Sequence, residues 1–163
     1  MELLKNVLAW SPWFAQQYEL LTSPQREALL VSLSQTRHAA DWQTLAHELV
    51  ADLPPADSRP LPELARGVDP QWQARLRQWR RMEQMRFIAR DMTRLSSMPE
   101  LTAELSHFAD AAIAVALAQA HQEVALLHGQ PIGGESGKPQ SMLVIGMGKL
   151  GGYELNLSSD IDL

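Results

Sequence analysis

Eight of the nine glycines lie between residues 129 and 152, leaving the first 128 residues with a single one. Glycine costs a helix roughly 0.5–1 kcal/mol relative to alanine, so its near-absence leaves the long first stretch free to build helices. Its crowding afterwards imposes turns. Proline divides the helical stretch in turn: five of the ten prolines, at 54, 55, 60, 62 and 70, fall between residues 51 and 70, where neither a continuous helix nor a central strand can run. The punctuation predicts a helical region over 1–128 with a linker at about 51–69, a flexible loop over 129–140, and a different kind of structure over 141–163.

Within the helical region, Ser11-Pro12 and Ser23-Pro24 each offer a capping hydroxyl before a proline suited to a first turn. Apolar positions recur at helical spacing: Trp13, Tyr18 and Leu21; Leu29, Leu30 and Leu33; Trp42, Leu45 and Leu49. Asp69-Pro70 is expected to open a helix over about 70–96, along which Trp72, Leu76, Trp79, Met82, Met85, Ile88, Met92 and Leu95 step by three or four. Ser97-x-x-Glu100 has the spacing of a capping box. It predicts a second long helix over about 99–128, alanine-rich enough for close helix approach, with Gly129 as its stop.

Arg86, Arg90 and Arg94 are four apart and stack like charges on one stripe, which costs a few tenths of a kcal/mol per pair if unanswered. Either they form a cationic wall for nucleotide phosphate or an acidic partner surface, or they are a solvated face relieved by Glu83 and Asp91, or they make ion pairs to chain beyond residue 163. The five histidines show no shared metal-ligand spacing. The five tryptophans are expected to be core anchors. No apolar run is expected to cross a bilayer, and no small-residue cleavage site follows the N-terminus. Absence of cysteine suits a reducing cytoplasm, and a formal charge of −5 argues against general nucleic-acid binding.

After the glycine loop, "SMLVIG" has the β-branched, apolar character of a buried strand. Gly146-x-Gly148-x-x-Gly151 could begin a dinucleotide site, but only seven residues separate Gly152 from Asp160, too few for a crossover helix and its return. The alternative uses the carboxylates. If "SDIDL" is a strand, Asp160 and Asp162 share a face, and two carboxylates held close ask for a cation. Hard oxygen donors suit Mg²⁺, which could bridge nucleotide phosphates during phosphoryl transfer. Gly151 and Gly152 would let backbone N–H groups approach those phosphates, with the hydroxyls of Ser158 and Ser159 close enough to assist. Lys149 sits in no P-loop pattern.

The string "GMGKLGGYELNLSSDIDL" resembles the nucleotidyltransferase signature of glutamine synthetase adenylyltransferases, the bifunctional adenylyl-transferring and adenylyl-removing enzymes of the polymerase-β-like superfamily. "LRQWRRMEQMRFIARDM", residues 76 to 92, is similar to the arginine-rich helix preceding that module. The resemblance covers most of the chain from about residue 70. It implies a mainly α-helical block followed by the start of an α+β nucleotidyltransferase domain over 141–163, incomplete here because the family takes a third carboxylate from a later strand. The isolated 163-residue chain is therefore expected to be an inactive fragment.

The variant "ELNLSSDIDL" resembles the first of the family's two tandem modules. That likeness implies a phosphorolytic adenylyl remover: phosphate attacks AMP–tyrosine on glutamine synthetase and releases ADP, with Mg²⁺ on Asp160 and Asp162. Spacing alone leaves the direction open. The implied partners are glutamine synthetase, a PII-type signal protein, nucleotide and phosphate, with no nucleic acid or membrane. A second expectation is that the helical block docks glutamine synthetase or a PII protein while catalysis depends on residues beyond 163.

Overall fold

The computed structural model describes residues 2–53, 57 and 70–163. After a 3₁₀ turn at Glu2–Leu4 come α1 (Lys5–Trp10), α2 (Pro12–Glu19), α3 (Ser23–Ser32) and α4 (Ala39–Val50). Two long helices follow, α5 (Pro70–Met92) and α6 (Met98–His128), and then a four-residue turn of helix, α7 (Gly148–Gly151). The proposed linker and the Asp69 cap lie almost wholly outside the described residues.

The helix starts follow local chemistry. The Ser11 hydroxyl accepts from the Phe14 N–H with Pro12 in the first turn. For α3 the cap is one residue earlier than expected: Thr22, not Ser23, accepts from Gln25, whose side chain returns to the Thr22 N–H. The reciprocal pair satisfies two orphan donors and outcompetes the serine. Ser97 caps α6 through the Glu100 N–H, and Gly129 ends it at φ +85. Helix α5 stops at Met92, short of the expected 96, because Arg94 turns left-handed at φ 56 and Leu95 then returns its N–H to the Arg90 carbonyl.

Two apolar clusters share α5 as a common wall. One joins Leu4, Val7, Phe14, Leu21, Leu29 and Leu33 of the N-terminal helices to Met85 and Ala89. The other gathers Trp42, Phe87 and the inner face of α6, including Leu101, Leu105 and Ala109. Phe108 stands edge-on to Trp79 at 4.8 Å and to Trp42 at 5.4 Å, a geometry that favours aromatic rings beyond area alone. The tryptophans divide: Trp42 and Trp72 are buried anchors, whereas Trp10 is exposed and Phe14 takes the core place expected of Trp13. Helix α6 is long and apolar enough by composition to span a membrane, contrary to the sequence expectation. Its alanines supply that hydropathy, and its inner face is core.

No strand forms among the described residues. The expected strands at 141–146 and 159–163 are joined by one backbone hydrogen bond, Met147 N–H to the Asp162 carbonyl at 2.9 Å. Leu143, Ile145 and Leu163 are exposed rather than buried. A pair of extended segments without further strands or a covering helix cannot sustain a ladder. The glycine loop at 129–140 is instead a closed turn: Gln140 bonds back to Pro131, Gly133 to Lys138, and Ile132 bridges Pro139.

Candidate functional site

The "GKLGGYELNLSSD" segment is held on α6 by two apolar plugs and two polar ties. Leu150 and Leu155 are buried in the same cluster as Leu105 and Ala109, and full burial of a leucine contributes about 1.5–3 kcal/mol. The Leu155 N–H donates to the buried Ser106 hydroxyl at 3.4 Å, and that hydroxyl donates to the Thr102 carbonyl at 2.8 Å. The Tyr153 hydroxyl donates to the Asp110 carboxylate at 3.1 Å while its ring meets His107 edge-on. The hydrogen bond to Asp110, reinforced by its charge, raises the phenol's pKa above the ordinary 10.0.

The glycines serve this turn. Gly148 is left-handed at φ +53, and a Cβ there would lie 2.9 Å from Asp162 Oδ2. At Gly151 a Cβ would come within 2.5 Å of the Gly146 carbonyl oxygen. The fingerprint spacing thus closes a tight turn over four helical residues, with no long helix to face a pyrophosphate. The N–H groups of Gly151 and Gly152 themselves donate within the turn, to the Met147 and Gly148 carbonyls at 3.0 and 3.1 Å. The hydroxyls of Ser158 and Ser159 donate to Asn156 Oδ1 at 3.0 and 2.8 Å. These serines shape the approach to the carboxylates.

The turn and the cleft beside it each receive one carboxylate. Asp162 lies against the bare Cα of Gly148. Asp160, exposed, lines a cleft of about 360 Å³ together with Asn156, Ser159 and residues of α5 and α6. Among the described residues no group of three or more histidine, cysteine, aspartate or glutamate side chains could hold a metal. Each carboxylate is a hard oxygen donor of the kind Mg²⁺ takes from protein, one or two at a time, and Asp160 but not Asp162 lines the cleft.

The arginine stripe is neither a cationic wall nor a solvated face at 86 and 90, although Glu83 does answer Arg86, at 3.9 Å. Arg86 and Arg90 are 1 % exposed. Arg86 pairs with Glu104 at 2.6 Å and donates to the carbonyls of Ser32 and Gln35. Arg90 pairs with Glu100 at 2.5 Å and donates to the Leu33 carbonyl at 2.7 Å. Arg37 meets Glu83 at 2.5 Å and stacks over Trp42. Burial lowers the pKa of Arg86 from its ordinary value, and the Glu104 hydrogen bond opposes that shift. The stripe is therefore structural, with no nucleotide-facing wall at 86 and 90. The sequence carried a signal for it: arginines four apart on α5 face glutamates four apart, Glu100 and Glu104, on the antiparallel α6. Sequence reasoning missed Glu104, Ser106 and Tyr153 as anchors, and Arg80 and Gln84 as lining of the Asp160 cleft.

The profile of the family described as "Glutamate-ammonia ligase adenylyltransferase" matches residues 1–163. A Pseudomonas putida protein named "Bifunctional glutamine synthetase adenylyltransferase/adenylyl-removing enzyme" is 41% identical over 97% of this chain and 16% of its own length. A Stenotrophomonas maltophilia protein of the same name is 38% identical over 91% of this chain and 16% of its own. One from Pseudomonas aeruginosa is 52% identical over 55% of this chain and 9% of its own. The chain therefore spans about a sixth of the first of these relatives. No solved structure matches it.

Proposed function

The chain belongs to the glutamate-ammonia ligase adenylyltransferase family, and on that premise we propose that it is part of a cytoplasmic enzyme that regulates glutamine synthetase by reversible adenylylation. Within that enzyme it contributes to the module that removes AMP. One observation carries the reading: the string "GMGKLGGYELNLSSDIDL" folds as a glycine turn that seats Asp162 and sets Asp160 in an open cleft.

The reaction is phosphorolysis. A phosphate oxygen bonds to the AMP phosphorus, the bond from phosphorus to the tyrosyl oxygen breaks, and its electron pair leaves with the phenolic oxygen, which takes up a proton. ADP and free tyrosine result. Asp160 and Asp162 would hold Mg²⁺, which would supply neutralisation of charge on the phosphate oxygens. Gly148 leaves room for the Asp162 carboxylate, and Gly151 and Gly152 close the turn beneath it. Asn156 gathers Ser158 and Ser159 and so fixes the backbone leading to Asp160. A PII-type signal protein is the proposed regulator.

In the full-length protein, Asp160→Asn is expected to slow Mg²⁺-dependent release of ADP from adenylylated glutamine synthetase on the order of a hundredfold or more, the scale of several kcal/mol of lost charge stabilisation. Binding of glutamine synthetase should persist. Wild-type rates in that variant would remove the metal role, and release of pyrophosphate from ATP as the Asp160-dependent product would reverse the assigned direction.

A further inference from the structure

With Arg86 and Arg90 consumed by the core, the cations left on α5 are on its other side. Arg77, Arg80 and Arg81 stand three and four apart, and among the described residues none has a carboxylate within ion-pair reach. Such stacking costs a few tenths of a kcal/mol per pair unless an anion answers it. Arg80 is exposed and lines the same cleft as Asp160 without pairing to it. Gln84, one helical turn further along, lines it too, and the floor is apolar, with Phe87, Leu105 and Phe108. A cation and a carboxylate held apart over an aromatic floor, in a volume of about 360 Å³, match a ligand with a flat ring and a metal-bound phosphate.

We propose that Arg80 is the phosphate-binding cation of this cleft, pairing with a phosphate of the nucleotide or with the incoming phosphate while the ring of the nucleotide lies against Phe108. This deepens the preceding reading and rests on it for the identity of the ligand. A guanidinium offers two parallel donors to phosphate oxygens, which an ammonium at the same place supplies only as a point charge.

The test uses the full-length protein and its Arg80→Ala and Arg80→Lys variants, titrated separately with ADP and with inorganic phosphate in magnesium chloride, alongside KM values for phosphate and for adenylylated glutamine synthetase. Arg80→Ala is expected to weaken ADP binding about tenfold or more, as loss of a charged hydrogen bond predicts, and Arg80→Lys to recover part of it. The thermal midpoint should not move, since the side chain is exposed and unpaired among the described residues. Weakening with both probes assigns Arg80 to the incoming phosphate, and weakening with ADP alone assigns it to the phosphate of AMP. Unchanged affinity for both overturns the proposal. Asp160→Asn separates the two readings: if it loses activity while Arg80→Ala binds ADP normally, only the role of Arg80 falls. If Asp160→Asn stays active while Arg80→Ala loses ADP, the metal assignment falls and the anion cleft stands.

Discussion

Gly148 does two things that no other residue could do together. Its φ of +53 costs an L-residue roughly 1–2 kcal/mol, and its missing side chain is what lets Asp162 Oδ2 sit against the backbone. Gly148→Ala is therefore expected to lower stability by about 1–2 kcal/mol in urea unfolding. In the full-length protein it should reduce ADP release by far more than that loss explains, because the carboxylate must move. A variant whose activity tracks its stability alone would detach Asp162 from the site. At this scale the sequence was partly legible. The glycine run announced a tight turn, but spacing alone could not say that Gly148 makes room for a carboxylate and Gly151 for a carbonyl. Nor could it show that the N–H groups of Gly151 and Gly152 would be spent inside the turn.

Between elements, the decisive contact is α5 against α6 through paired charges. Glu104 is 2 % exposed and accepts from Arg86, also buried, and from the Arg37 N–H at 2.9 Å. Removing one partner of a buried pair strands the other, at a cost of about 3–5 kcal/mol. Glu104→Ala should lower the unfolding free energy measured in urea by that amount, whereas replacing Arg86 and Glu104 together with apolar residues of similar volume should cost much less. Equal losses in the two variants would mean that packing, rather than stranded charge, governs the site. The helices were legible because apolar spacing and capping residues are local signals. The role of the arginines was not, because spacing along one helix does not say which face meets a neighbour. The expected strands failed for a related reason: a β-branched run is a strand only when another strand pairs with it.

For the molecule as a whole, the same charges set its response to acid. Glu100 takes a hydrogen bond from the Thr36 hydroxyl at 2.8 Å and lies beside Arg90, and these hold its carboxyl below the ordinary 4.5. A depressed carboxylate contributes stability that is complete above the unfolded value and is lost as pH falls through the folded one. Urea midpoints should thus be level from neutrality to about pH 5 and fall below 4.5. Glu100→Gln should begin lower and lose less on acidification. An equally steep fall in that variant would place the acid sensitivity on other carboxylates.

Helix α6 is 31 residues long, a rod of about 45 Å at the ordinary rise. Near one end it grips α5 through Glu100 and Glu104, and within the next two turns it carries the acidic loop on Ser106, Asp110 and the two leucine plugs. The carboxylates are in that sense passengers. Their aim is therefore set by the placement of a helix that carries neither of them, so a change in where α6 sits would be a change in where they point.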